Sequence, residues 1–332
     1  MTSHSSIISA IPAAFEKAKT AGDLLFFPSE VYKYDDCGIE FEVTLCPALL
    51  HKPTLPAPRF STEPDGKKSD PFAPPYNEGL HVGDLTDPEE GNEYVVLLNK
   101  FSVVPHHFLL VTKEYQSQNA PLLPADLVQA YSILLAAKKA GKHYFAFYNC
   151  GENSGASQPH KHLQFIPTEE DDGPPIELLA QAAELQRDDT PFSLSTLPFA
   201  NHIRRLAIPS RATATQIELV LAGAFIQLLD LCISTVRHAP DYPVGPPSYN
   251  VIITLKHIYV IPRIRETHVL RETGESMSVN SLGFAGLLLV KSMDEFEAVK
   301  KEGPTTILKG VACESVHDLQ VQGTSELDGD GQ

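Results

Sequence analysis

The chain has 332 residues, 42% of them hydrophobic, and a formal net charge of -16 at pH 7. That length can bury a large core in one broad domain or in two tightly joined halves. The acidity argues against broad nucleic-acid binding, which needs a basic face, but it leaves room for a local positive pocket around a small polyanion.

In chain order, residues 6–21 predict a helix that ends near Gly22, with Pro12 in its first half. This N-terminus has no basic start before an apolar run, so no secretory signal is expected. Residues 39–45 alternate like a strand. Residues 47–75 hold eight prolines and few aliphatic residues, which predicts a long irregular loop. The runs 93–98 and 108–112 are apolar, β-branched and of strand length. Residues 124–140 predict a helix, with proline at the start, Lys138 and Lys139 in the last turn, and Gly141 beyond. A strand over 143–148 follows, then a loop over 150–159.

The acidic stretch 169–175, EEDDGPP, marks a boundary or surface turn. A long helix is expected over 213–236, then a hairpin of 249–255 and 258–261. Two more helices are expected over 281–290 and 294–301. A helix over 281–290 would place Asn280, Leu287 and Lys291 on one face. No apolar run is read as long enough to cross a membrane, the longest candidate being 282–290. The five cysteines are scattered, with no C-x-x-C, as expected of free thiols in a reducing compartment. The cytoplasm is therefore expected, with the nucleus also open. The tail 322–332 is polar and acidic and is expected to be disordered.

The most informative segment is SGASQPHKHLQF, residues 154–165. If it is a strand, His160, His162 and Gln164 share one face, while Lys161, Leu163 and Phe165 share the other. Two imidazoles and an amide then face one spot beside a loop rich in backbone N–H groups. Imidazole is a good nucleophile near neutral pH, an amide N–H can steady a phosphate oxygen, and loop amides can cradle the remaining charge. The pair H-x-H could also supply two zinc ligands, but no suitable third ligand lies nearby and no metal site is expected. His106 and His107 are adjacent on an extended segment and should face opposite ways. His51, His81 and His257 have no motif support.

The spacing S-x-P-H-x-H-x-Q, Ser157 to Gln164, resembles the glutamine branch of the histidine-triad superfamily, which contains galactose-1-phosphate uridylyltransferases and diadenosine tetraphosphate phosphorylases (ATP adenylyltransferases). The phosphorylase resemblance is the closer one. It extends to VVLLNKFSVVPHHFLLVTKEY at 95–115, DPFAPPY at 70–76 and SVNSLGFAGLLLVKS at 278–292, and so covers nearly the whole chain.

That resemblance implies an α+β fold of two histidine-triad-like halves, each an antiparallel sheet flanked by helices, the second degenerate. The catalytic half would be 1–168, the half completing the nucleotide site 169–321, and the tail 322–332. It implies phosphorolysis of diadenosine tetraphosphate to ATP and ADP through an adenylyl-histidine. His162 would be the nucleophile, His160 would orient the site, and Gln164 would contact the transferred phosphate. Substrate contacts carry over to Lys52, Asn99, Lys100, Asn149, Ser154, Gly155, Ala156, Ser157, Asn280, Ser281, Leu282, Leu287 and Lys291. Mg²⁺ is expected with the polyphosphate, without a protein cage. The expected partners are nucleotides and inorganic phosphate, with no nucleic acid and no membrane; monomer and homodimer both stay open. The rival readings are a uridylyltransferase acting on sugar phosphates and a noncatalytic dinucleotide sensor.

Overall fold

Ser3 opens the first helix, α1 (His4–Ala21), by a reciprocal pair of bonds with Ser6, and Gly22 closes it at φ 81°. The structure, a computed structural model, describes residues 2–48, 70–87, 90–169, 171–185 and 187–315. Lys52, most of the proline-rich stretch and the tail 322–332 lie outside the described residues.

After α1 come β1 (Leu25–Phe26), β2 (Glu30–Asp36), β3 (Ile39–Leu45), β4 (His81–Thr86), β5 (Glu93–Leu98), β6 (Phe101–Ser102) and β7 (Phe108–Thr112). Then follow α2 (Pro124–Lys139), β8 (His143–Cys150), β9 (His162–Thr168), α3 (Pro175–Ala182), β10 (His202–Arg205), α4 (Ala214–His238), β11 (Ser248–Ile253) and β12 (His257–Arg263). The last elements are β13 (Thr267–Val269), β14 (Ser276–Ser278), α5 (Ser281–Ala285), β15 (Leu287–Val290), α6 (Met293–Glu302) and α7 (Pro304–Lys309).

One eight-stranded sheet runs in the order β10-β12-β11-β8-β9-β7-β5-β4, and every pairing in it is antiparallel. Within it, β7-α2-β8-β9 and β10-α4-β11-β12 repeat the same path. Their registers repeat too: Tyr144 lies opposite Pro167 in the first unit, and Tyr249 opposite Pro262 in the second. The matching strands read HLQFIPT and HIYVIPR, so His257 occupies the place of His162. At the seam, Phe147 faces Ile252, and the pairs Ala146–Ile253 and Tyr148–Val251 flank it symmetrically. The second half is thus a degenerate copy of the first, and aligned strands reveal a sequence likeness that the bare chain hides.

The two faces of this sheet bury different partners. On one face, Leu163, Phe165, Ile258 and Val260 pack under α1, α2 and α4. On the other, Phe145, Phe147, Ile166, Ile252 and Tyr259 meet α3, α5 and the small sheet β15-β3-β2, while Leu109 and Val111 meet Phe72. Burying these side chains contributes about 1.5–3 kcal/mol each. The longest apolar stretch of the chain is α4 rather than 282–290; its buried face (Leu221, Ala224, Phe225, Leu228, Cys232) packs against the sheet.

The expected helix over 281–290 is not formed. Helix α5 stops at Ala285 because Gly286 takes φ 101°, and Leu287–Val290 then pairs in parallel with Glu42–Leu45. A Cβ on Gly286 would lie 2.6 Å from Pro175, so the chain can turn there only as glycine. Asn280, Leu287 and Lys291 therefore share no helix face: Asn280 caps α5, Leu287 is in a strand, and Lys291 follows it. A short apolar run looks alike as helix or strand, and the partner strand that decides sits at the other end of the chain.

Candidate active site

Strand β9 begins at His162. His160 stands just before it in an isolated bridge to Ser117. The expected alternation holds. Lys161 turns to the helix side and pairs with Asp126 of α2, both fully buried. Phe72 packs against both imidazoles on the opposite side, its ring centroid 5.0 Å from His162 and 6.2 Å from His160.

His162 is 2% exposed. Its Nδ1 donates to the carbonyl of His160 at 2.8 Å, which leaves Nε2 as the nitrogen with a free lone pair. Burial pushes this imidazole down to about 4, so it is neutral at pH 7. The backbone of His162 is clamped as well. Its N–H donates to Gln118 Oε1 at 2.8 Å, and its carbonyl accepts from Gln118 Nε2 at 3.3 Å. The same Nε2 reaches the carbonyl of Asn149 at 2.7 Å, so one buried amide joins the strand of His162 to the end of β8, where the neighbouring loop leaves it.

His160 is pinned at both ring nitrogens. Nδ1 lies 2.7 Å from Asp70 Oδ2, and Nε2 lies 2.7 Å from the carbonyl of Thr112. Asp70 also accepts from the N–H of Phe72 at 2.9 Å, which sets the turn that lays Phe72 on the site.

Gln164 is oriented by His107. The amide nitrogen of Asn99 faces the carbonyl of Phe101 at 3.2 Å, and a carbonyl can only accept. The same nitrogen lies 2.9 Å from His107 Nδ1, which must therefore be the bare nitrogen. The ring proton sits on Nε2 and is donated to Gln164 Oε1 at 3.0 Å. Burial also pushes His107 down to about 4, consistent with a neutral ring. The Gln164 NH₂ is thereby turned away from His107. His106 points the other way, onto Phe15 at 5.3 Å.

The loop 151–159 bends at Gly151 and Gly155, both at positive φ. Gly155 lies so close to the chain at Val279 that a Cβ would sit 2.5 Å from that carbonyl. Ser154 is buried, and its hydroxyl donates to Gly151. Asn149 Oδ1 accepts from Asn250 Nδ2 and from both the N–H and the hydroxyl of Ser281, which binds the two halves at the loop's root. Asn280 spends its side-chain oxygen on the N–H of Leu282. Ala156 is buried and Ser157 exposed. Lys100 lays its ammonium over the Phe101 ring at 5.7 Å. Leu287 and Lys291 lie on or just after β15 in the three-stranded sheet, and no hydrogen bond among the described residues ties them to the triad.

Sequence reasoning gave Asp70 and Phe72 no individual role and missed those of His107 and Gln118. The motif DPFAPPY contains the first two, and an Asp two residues before an apolar aromatic is a turn signal. Gln118, in QSQNA, carries no signal at all. Among the described residues no group of three or more His, Cys, Asp and Glu side chains is arranged to hold a metal.

A buried neutral imidazole near a glycine-bent loop, with an oriented amide and no titrating third group, is an arrangement suited to nucleotidyl transfer. Comparison with known proteins narrows this. Residues 1–182 match the family described as Ap4A phosphorylase N-terminal domain, and residues 195–314 match ATP adenylyltransferase C-terminal domain. The chain belongs to this Ap4A phosphorylase (ATP adenylyltransferase) family.

Among relatives in Saccharomyces cerevisiae, diadenosine 5',5'''-P1,P4-tetraphosphate phosphorylase 2 is 32% identical over 307 residues, covering 87% of this chain and 88% of that one. Protein APA1 is 31% identical over 304 residues, covering 89% and 90%. Among solved structures, yeast Ap4A phosphorylase Apa2 in complex with AMP superposes with a TM-score of 0.76 at 29% identity, covering 95% of this chain and 98% of that one. The same enzyme in complex with Ap4A gives a TM-score of 0.74, covering 93% and 98%.

Proposed function

We infer that the protein cleaves diadenosine tetraphosphate by phosphorolysis, yielding ATP and ADP, and that the reaction is reversible. The observation that carries the mechanism is the Nδ1 bond of His162 to its neighbour's carbonyl, which readies Nε2 as a neutral nucleophile. Nε2 attacks an α-phosphorus. An N–P bond forms, the bridging P–O bond breaks, and ATP leaves with the electron pair. The ring becomes an adenylylated imidazolium whose remaining proton stays on Nδ1, donated to the His160 carbonyl. An oxygen of inorganic phosphate then attacks the same phosphorus, the P–N bond breaks, and ADP leaves while His162 returns to its neutral form. No proton has to be delivered or removed by a side chain. This agrees with a glutamine at position 164, which can donate a hydrogen bond but cannot titrate.

Support for the reading of the loop 151–159 as the phosphate subsite comes from its free amides beside β9. Mg²⁺ would enter with the polyphosphate rather than in a protein cage; loss of turnover in chelator, restored by Mg²⁺, is the expected result. The deciding experiment supplies the dinucleotide with ¹⁸O-labelled inorganic phosphate. Label in ADP but not in ATP is expected, with dinucleotide consumption in phosphate-free buffer slower by at least about a hundredfold. Rapid AMP release without phosphate would make the protein a hydrolase instead.

A further inference from the structure

Arg263, the last residue of β12, is completely buried. Its guanidinium donates to the carbonyls of Ser154, Arg265, Glu266, Val279 and Val311 and to Asn250 Oδ1. Its face lies 5.1 Å from the ring of Phe284. None of these partners is a carboxylate. The nearest acid in sequence, Glu266, turns its carboxylate to the hydroxyl of Ser278 at 2.8 Å. The Glu266 charge acts on Arg263 without a hydrogen bond to it, and burial outweighs that help, so this cation is costly to hold and its presence calls for a reason beyond packing.

We propose that Arg263 is a positioning residue for the anionic part of the substrate: it aims the amides of the loop 151–159 at a phosphate and supplies the positive charge behind them. This rests on the reading of that loop as the phosphate subsite. The carbonyl of Ser154 is held from one side by Arg263 and by Asn250 Nδ2. In a trans peptide the following N–H points the opposite way, so the N–H of Gly155 faces away from the guanidinium. Among the described residues, no hydrogen bond uses the N–H groups of Gly155, Ala156 or Ser157. A row of unused amides in front of a buried cation is an arrangement that an anion completes. The Val279 carbonyl that Arg263 also holds is the one against which Gly155 packs, so the same side chain sets the loop's height. The residue comes from the second half of the chain and acts on the first half's loop. At its own position in the repeat the first half has Thr168.

The test compares AMP with adenosine, which lacks the phosphate, by calorimetry on the whole protein. Wild type should prefer AMP; without that preference the phosphate-subsite reading itself fails. Arg263→Gln should lose about tenfold or more in AMP affinity, while adenosine changes less than about threefold. Arg263→Lys, which keeps the charge, should retain most of the AMP preference. Equal losses for both ligands in Arg263→Gln would overturn the proposal. Should that variant fail to fold, Arg263→Lys decides: a retained preference supports the role of the charge, and a preference lost with the charge present overturns it.

Discussion

Gln118 hydrogen-bonds both the N–H and the carbonyl of His162 through one side-chain amide. His162 sits at the very start of its strand, where its backbone has no neighbouring strand on that side to pair with, and the amide takes that strand's place. Gln118→Leu leaves three buried backbone groups, the N–H and carbonyl of His162 and the carbonyl of Asn149, without these bonds, at about 1–3 kcal/mol each. We expect a lower midpoint in urea denaturation and a loss of turnover larger than the loss of AMP binding. An unchanged midpoint would show that water replaces the amide.

His162→Ala should abolish turnover and leave nucleotide affinity within about tenfold, because the resemblance places most of the expected nucleotide contacts on other residues. Calorimetry with AMP and a product assay check this together. Near-normal turnover would remove His162 from the mechanism.

The pH dependence follows from burial. His162 and His107 are both pushed down to about 4 from the ordinary value of 6.5. The first half-reaction, adenylylation from the dinucleotide without inorganic phosphate, should therefore stay level from pH 8 to about 5. A fall centred near 6.5 would contradict the neutral buried nucleophile. Stability, unlike the rate, should change across this window. Between 6.5 and 4 the unfolded histidines take up protons that the native ones refuse, so stability is full above 6.5 and declines as pH falls towards 4. The loss is on the order of 3 kcal/mol for each histidine at most. A urea series across this window measures it.

His107→Phe removes the donor that turns the Gln164 amide. With nothing to bias it, the amide presents its oxygen to the phosphate as readily as its nitrogen. Turnover should fall by about tenfold to a hundredfold with AMP affinity changed much less, and His107→Gln, which can still donate and accept, should recover part of the rate. Equal activity in the Phe variant would mean that Gln164 is held by substrate alone.

Much of the site was legible because its chemistry and its local pattern coincide. Alternation alone puts His162 and Gln164 opposite Leu163 and Phe165, and both sides of that pattern are found. Caps and breakers placed α2 and α4 to within about two residues. Contacts that depend on distant chain segments were not legible. Strand β15 exists because β3 is available to it, α3 starts on two prolines read only as a boundary, and Gln118 matters because a strand end happens to lie beside it. Asn149 and Ser281 were expected at the substrate, and their oxygens prove to be tied to each other across the two halves.

The repeated strands HLQFIPT and HIYVIPR have a consequence for how such a molecule can change over generations. Two identical chains that met edge to edge would have to alter both of their sites with every substitution. Fused into one polypeptide, each copy drifts alone. His257 has Glu177 as a partner for Nδ1, at 2.8 Å, and lies sealed beneath α3, while His162 has a backbone carbonyl there and keeps its other ring nitrogen free of hydrogen bonds among the described residues. One copy became the workshop and the other its wall, and Arg263, lent across the seam, marks how far that division of labour has gone.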